Sequence, residues 1–243
     1  MTFSAPIDTA SARLPLRITL QTRIERSEEG QRMSYVDIRA IAEAAGMKPI
    51  EVGRLTAWRG LYPNLAQILT SPDRDAQTIV DEFDEISYDA VLAVEGILDA
   101  RGAFAPRIAA QMADAAPAGL VYIEQVVVHP ALRGRGLGHA LLRELKAQLA
   151  GVAHLACLKA IPIDTPYEEP GDDFAHGSRL SDRAAALTLQ RYYRADETLG
   201  FQRPARSTGG SLLAAVWEAF PDLPLFEMQA EVPAAKILKS RET

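Results

Sequence analysis

The sequence predicts an α/β fold, and two observations in the middle of the chain carry that prediction. The first is a succession of strand, helix and strand within about 45 residues, at 120–128, 137–149 and 154–163. The second is the composition of the two strand segments, which are apolar and rich in β-branched residues, as in strands buried on both faces of a sheet. Such a succession forms a βαβ unit with a right-handed crossover.

Four further segments have the composition of β-strands. They are residues 14–24, 50–62, 211–220 and 224–232. Gly53, inside the second of these segments, indicates a bulge or a close approach of another element. We therefore expect a sheet larger than the βαβ unit alone.

Three further segments have apolar residues at helical spacing. They are residues 34–46, 71–86 and 181–201. Gly46 is expected to end the first helix, and Ser71 followed by a proline is expected to begin the second. Within the ambiguous stretch 88–116, residues 88–100 fit a helix and a strand equally well, whereas residues 106–115 favour a helix.

The composition is that of a globular protein of 243 residues, with 48% hydrophobic and 24% charged residues. A net charge of -6 argues against nucleic acid and anionic membranes as partners. The single cysteine excludes an intrachain disulfide and favours a reducing compartment. Because no signal peptide or membrane-spanning run is visible, a cytoplasmic protein is expected. Residues 1–13 are predicted to be a flexible arm, and residues 14–243 one domain.

A glycine loop joins the first strand of the βαβ unit to its helix, in the sequence HPALRGRGLGHALLREL. Gly134, Gly136 and Gly138 stand at alternate positions, which is entropically costly and so indicates a structural requirement. Free amides at a helix N-terminus, together with the helix dipole, bind phosphate groups. The spacing fits neither the dinucleotide-binding fingerprint nor the P-loop.

The loop fits the pattern R-x-x-G-x-G. With the strand before it, YIEQVVVHPALRGRGLG, it closely resembles the acetyl-CoA-binding motif of the GNAT superfamily of N-acetyltransferases. A second similarity is LQRYYRADETLGF, in which two tyrosines end a helix ahead of Gly200 and Phe201. The clear resemblance covers residues 118–203. It implies a mixed, splayed β-sheet with helices on both faces.

The resemblance also implies an activity and a set of binding residues. The protein would transfer an acetyl group from acetyl-CoA, its co-substrate, to a small-molecule or peptide amine that attacks the thioester directly. Main-chain groups of Val126 and Val128 would bind the pantetheine arm. The pyrophosphate would lie against the loop, where two arginines can add charge-assisted hydrogen bonds: Arg133, Gly134, Arg135, Gly136, Leu137, Gly138 and His139. A homodimer is expected by analogy with the family.

Three residues are candidates for proton transfer. Glu124 lies inside an apolar strand, where burial would raise the pKa of its carboxyl and suit it to act as a general base. The alternative is a structural glutamate paired with an arginine on a neighbouring strand. Tyr193 is the candidate general acid for the leaving thiolate, with Tyr192 as second choice, and the alternative is an aromatic pair that closes the core. Tyr193 stands three residues farther from Gly200 than the family pattern has it, so an insertion around residues 195–197 is expected.

Other polar residues carry weaker signals. Cys157 stands in an apolar strand and is predicted to be a small buried hydrophobic residue. The histidines show no metal-binding spacing, so no metal site is expected. The acidic loop at 165–178, with Asp172, Asp173 and His176, is predicted to be solvated and to attract a cationic amine.

Two other functions remain open from the sequence. Residues 38–55 resemble the helix-turn-helix of bacterial repressors in the spacing of their small residues, which would make the protein a DNA-binding regulator. A continuous strand through residues 50–58 would exclude that interpretation. The altered tyrosine spacing leaves room for a GNAT-fold protein that binds acyl-CoA without catalysis.

Overall fold

The computed structural model describes residues 13–26, 32–70, 74–98, 104–161, 182–204, 211–218 and 228–233. Within these ranges the strands form one seven-stranded sheet in the order β6-β5-β4-β3-β2-β1-β7. All neighbours are antiparallel except β4 and β5, which are parallel. The strands are β1 Arg13–Arg26, β2 Met33–Glu43, β3 Ile50–Leu61, β4 Gly119–Val128, β5 His154–Lys159, β6 Leu212–Trp217 and β7 Met228–Pro233.

Helices cover both faces of this sheet. One apolar core lies between the sheet and the later helices and includes Leu141 of α5 and Tyr193 of α6. The other lies between the sheet and the earlier helices and includes Phe83 of α2 and Ile108 of α4. The predicted α/β fold with helices on both faces is thus confirmed. The helices are α1 Leu65–Thr70, α2 Arg74–Asp84, α3 Tyr88–Glu95, α4 Pro106–Ala115, α5 Leu137–Gln148 and α6 Asp182–Ala195.

The predicted helix at 34–46 is wrong, because residues 34–43 lie in strand β2 and residues 44–46 follow it as a turn. Its side chains alternate between the two faces of the sheet, and Val36, Ile38 and Ala40 are fully buried against the α5–α6 layer. The strand pairs with β1 on one side and β3 on the other, so tertiary pairing overrides the helical spacing. Gly46, with φ of +77°, belongs to the turn that joins two strands.

This correction removes the helix-turn-helix interpretation. Residues 38–55 consist of the end of β2, a turn and the beginning of β3, and β3 continues without a break through residues 50–58. It also corrects the expected order of strand, helix, strand at the start of the chain. Three antiparallel strands come first, and helices α1 to α4 follow them.

Strand β4 separates from β5 at Glu124. In the pairing with β3, Thr56 lies opposite Gln125 and Ala57 opposite Ile123, so Glu124 is the extra residue of a β-bulge. The parallel pairing with β5 ends at Ile123 and Leu158, although β4 continues to Val128. Because a bulge bends its strand and increases the local twist, it accounts for the gap that opens between the two strands. The predicted splay of the sheet therefore begins at the bulge of Glu124.

Burial along β4 follows this separation. Residues 120–123 are buried, as predicted, whereas Glu124 is exposed and residues 125–128 are partly exposed. The prediction that the whole segment 120–128 is buried on both faces is therefore wrong for its second half, since β5 does not accompany it.

The remaining predictions can be placed on this frame. Residues 88–116 hold two helices, α3 and α4, and the apolar runs near the carboxyl end form β6 and β7 at opposite edges of the sheet. The predicted arm at 1–13 and the acidic loop at 165–178 lie outside the described residues, apart from Arg13. Asp172, Asp173 and His176 are therefore also outside them. None of the helices in the described ranges is long and apolar enough to cross a membrane.

Candidate active site

The glycine loop connects the end of β4 to the beginning of α5. After Val128 the chain makes a 3-10 turn at Pro130–Leu132 and enters the helix at Leu137. Gly134 and Gly136 have φ angles of +73° and +83°, which other residues rarely adopt. A Cβ at either position would meet nothing within 4 Å, so the backbone turn rather than crowding requires these two glycines.

Gly138 is required for a different reason. It lies in the first turn of α5, and a Cβ there would lie 2.6 Å from the hydroxyl oxygen of Tyr192. That hydroxyl accepts a hydrogen bond of 2.9 Å from the backbone amide of His139. The third glycine therefore lets α6 approach the N-terminus of α5.

His139 and Asp196 complete the contact between α5 and α6. The imidazole of His139 stacks on the ring of Tyr192 with a centroid distance of 3.9 Å. Its Nε2 lies 2.8 Å from the carbonyl oxygen of Tyr192, which can only accept, so Nε2 carries a proton. Asp196 is buried, and its Oδ2 lies 2.7 Å from Arg143 and 4.0 Å from Nδ1 of His139.

Asp196 lies in the segment 195–197, where the sequence predicts an insertion, and its carboxyl is buried. Burial alone would raise the pKa of this carboxyl, but hydrogen bonds from Thr198 and the charge of Arg143 hold the pKa below its ordinary value. Asp196 is therefore ionised and ties the end of α6 to α5. Sequence reasoning missed this role, although the unusual tyrosine spacing was a signal of it.

We expect Gly138→Ala to destabilise the protein by about 1–3 kcal/mol, because the methyl group overpacks against the Tyr192 hydroxyl. In a Tyr192→Phe background the cost should be much smaller, since the colliding oxygen is gone and the ring carbon Cζ lies 3.4 Å away. Urea unfolding of the two single variants and the double variant measures this coupling. Strictly additive free energies would contradict the assigned contact.

The amides of the loop have the character of an anion site. No described residue accepts a hydrogen bond from the amides of residues 134–138, whereas the next amide, that of His139, is satisfied by Tyr192. Arg135 is exposed and has no ion-pair partner among the described residues, and Arg133 donates through Nε to the carbonyl of Val128 at 3.1 Å. The loop thus offers free donors beside a guanidinium.

The second half of β4, which pairs with β3 but not with β5, leads from this loop back to the bulge. The amide of His129 donates to Val52 of β3, so by the alternation of an antiparallel pair the main-chain groups of Val126 and Val128 point away from β3. They face the gap on the side where β5 no longer pairs with β4, and the carbonyl of Val128 accepts there from Nε of Arg133. Leu137 is buried, and its side chain packs beside Gly53, which confirms the close approach predicted at that glycine.

Glu124 stands at the mouth of the gap, on the sheet face that bears α1 to α4. Thr56 donates from Oγ1 to its Oε2 at 3.3 Å. Because neighbouring groups displace water from the carboxylate, its pKa is raised, while hydrogen bonds from Thr56 and Trp58 oppose the shift. The predicted enclosure among apolar residues is wrong, since the bulge leaves the side chain exposed. No arginine pairs with it in the part of the chain that the structure describes.

The two tyrosines occupy different positions. Tyr193 is buried in the α5–α6 core, in edge contact with Tyr192 and Phe201, and burial raises the pKa of its hydroxyl. Tyr192 reaches the head of α5, near the end of β4. At about 3.3 Å per residue, the strand places that end roughly 13 Å from Glu124. The structure does not bring Tyr192 and Glu124 together.

Cys157 is fully buried in β5, as predicted, and burial raises the pKa of its thiol to about 12. We expect it to resist thiol reagents in the native protein at neutral pH and to react only after unfolding, because the thiolate is the reactive form. Labelling with a chromogenic disulfide, with and without denaturant, measures this. Rapid labelling of the native protein would contradict its assignment to the core.

Comparison with known proteins identifies one segment. Residues 100–162 match the model of the acetyltransferase (GNAT) family, a segment that includes β4, the glycine loop, α5 and β5. The match covers about a quarter of the chain and does not extend to α6. No curated protein and no solved structure matched the chain.

Proposed function

We propose that this chain, which belongs to the GNAT superfamily, transfers an acetyl group from acetyl-CoA to a small-molecule or peptide amine. The observation that carries the proposal is the gap at Glu124, where the sheet opens directly ahead of a loop with free amides. A carboxylate with a raised pKa at one end suits an attacking amine, and an anion site at the other end suits the pyrophosphate of the co-substrate. A cytoplasmic location and a homodimer stay predictions from the sequence.

The residues of the gap fit acetyl-CoA in their chemistry. The amides of residues 134–138 and the guanidinium of Arg135 would hold the pyrophosphate, as helix N-termini and arginines do. The outward main-chain groups of Val126 and Val128 would pair with the amide groups of the pantetheine arm. When bound, acetyl-CoA supplies the acetyl group as a thioester that a neutral amine attacks, with release of the thiol.

Glu124 acts as the base in this proposal. A protonated amine cannot attack, so one proton must pass from the ammonium to the carboxylate, directly or through a water. The raised pKa of Glu124 brings its proton affinity closer to neutral pH than that of an ordinary glutamate. Hydrogen bonds from Thr56 and Trp58 orient the carboxylate.

Tyr193 supplies a proton to the leaving thiolate, the second proton of the amine passes to solvent, and the tyrosinate takes a proton back from solvent. A tyrosine phenol is protonated at neutral pH, as a general acid requires, and burial raises the pKa of Tyr193 further. Tyr192 holds the head of α5 in place, so we propose it as a positioning residue. The first-choice acid is thus Tyr193 of α6, and the base is Glu124, on the sheet face that bears α1 to α4.

Calorimetric titration of the purified chain with acetyl-CoA tests the proposal. We expect saturable binding with a Kd in the micromolar range, roughly -8 kcal/mol. Absence of binding would contradict it. Binding together with an absence of transfer to any amine would favour the alternative, a GNAT-fold protein that binds acyl-CoA without catalysis.

A further inference from the structure

We infer that the sheet face beside Glu124 recognises the acceptor as an ammonium group on an apolar stem, with Tyr35 and Trp58 as the residues that determine specificity. This inference rests on the proposed function in one respect, which is that it takes Glu124 to mark the acceptor end of the gap. It adds the chemical class of the acceptor and the side chains that select it.

The two aromatic side chains form a corner next to the carboxylate. Tyr35 of β2 and Trp58 of β3 are paired in register, and their rings are tilted by 56° with centroids 5.0 Å apart. Both are partly exposed. Trp58 hydrogen-bonds to Glu124, so the corner and the carboxylate are adjacent on one face. Aromatic faces attract cations, and tryptophan does so most strongly.

The charges around this corner are otherwise balanced. Asp37 lies 2.7 Å from Arg39 and 3.3 Å from Arg54, and Arg54 lies 3.2 Å from Glu51. Two guanidinium groups thus meet two carboxylates. The cluster therefore offers no surplus positive charge for an acidic acceptor.

Positive and negative charges are also paired on the β5 side of Glu124. Lys159, one residue beyond the last pair between β4 and β5, forms an ion pair with Asp89 of α3. Glu124 itself has no cationic partner among the described residues. Among the described residues around the corner, Glu124 is thus a carboxylate without an ion-pair partner, and an ammonium group that contacts it and the aromatic faces of Tyr35 and Trp58 would neutralise it.

The chain provides an internal control for a binding test, because it has two tryptophans. Trp58 borders the proposed subsite, whereas Trp217 is buried and its indole nitrogen donates to Leu199 at 3.0 Å. Their indole N–H signals can be followed separately by two-dimensional NMR of the isotope-labelled chain. Phenethylamine is the probe, and hydrocinnamate, which carries a carboxylate on the same stem, is the matched anion.

We expect phenethylamine to shift the Trp58 signal saturably while the Trp217 signal stays in place, and hydrocinnamate to shift neither. Tyr35→Phe should keep the affinity, because the aromatic face remains. Tyr35→Leu should weaken it roughly threefold or more, the effect of one exposed cation–π contact. The Trp217 signal reports that each variant is folded.

Three results would overturn the inference: no shift of Trp58, an equal shift with hydrocinnamate, or equal weakening by Tyr35→Phe and Tyr35→Leu. The measurement needs no acetyl-CoA and no turnover. It therefore fails or succeeds independently of the calorimetric test of the proposed function.

Discussion

Replacing Glu124 with glutamine is expected to lower kcat/KM for amine acetylation by roughly a hundredfold to ten-thousandfold, the contribution of a general base. The amide keeps an oxygen that can accept from Thr56, but it cannot take a proton from the acceptor. Acetyl-CoA should bind to the variant as it does to the wild type, because Glu124 lies at the far end of the gap from the loop. Steady-state kinetics and calorimetry on the same preparation measure both quantities.

The pH dependence gives this prediction a second readout. Since the pKa of Glu124 is raised, wild-type kcat/KM should rise with pH through a value above that of an ordinary glutamate, as the carboxyl loses its proton. The variant should lack this limb of the profile. A glutamine variant with wild-type rate and profile would remove Glu124 from the mechanism.

A lower rate of the Glu124→Gln variant should not come from a loss of folding stability. A carboxyl whose folded pKa is raised contributes its stability when protonated, at low pH, and loses that contribution as pH rises through the folded pKa. At neutral pH the ionised Glu124 therefore gives no stability for glutamine to remove. Urea unfolding at neutral pH should show the variant at least as stable as the wild type.

The second large effect is expected from Gly136→Glu, which should weaken acetyl-CoA binding by about a hundredfold or more, or roughly 2.7 kcal/mol. A carboxylate at the N-cap of α5 would compete with the pyrophosphate for the free amides and repel its charge. The side chain would also occupy the space where the backbone must approach the ligand. Calorimetric titration with acetyl-CoA measures the loss.

Gly46→Glu is the matched control for backbone strain. Gly46 has φ of +77°, close to the +83° of Gly136, and a Cβ at either position meets nothing within 4 Å. Both variants therefore incur the same left-handed penalty, about 1–2 kcal/mol. Only Gly136→Glu should lose binding. An equal loss in both variants would assign the effect to strain and not to the loop.

The βαβ unit could be predicted because the apolar residues of each of its elements follow one regular pattern along the sequence. A strand covered on both faces gives a continuous apolar run, and α5 presents its leucines at helical spacing, so each element shows its own period. Strand β2 could not be predicted in this way. Its residues Ile38 and Ile41, followed by Ala45, have helical spacing, and only the pairing with β1 and β3 makes the segment a strand.

The sequence predicts that the glycine loop belongs to the candidate site, but it does not predict how the residues of the site are arranged in space. The local sequence shows three glycines, yet only Gly134 and Gly136 have positive φ, while Gly138 makes room for Tyr192, which lies more than fifty residues later in the chain. The bulge at Glu124 depends on the register with β3, which no local pattern encodes. The sequence also does not predict that Tyr35 and Trp58 are neighbours, because they meet only through the pairing of β2 with β3.

Mass spectrometry of an amine incubated with the chain and isotope-labelled acetyl-CoA tests the central claim most directly. The account predicts that the amine gains one labelled acetyl group on nitrogen, that wild-type protein is required, and that Glu124→Gln largely abolishes the product. Phenethylamine is the first acceptor to test. A chain that binds acetyl-CoA but leaves every amine unlabelled would contradict the claim and identify an acyl-CoA-binding protein without transferase activity.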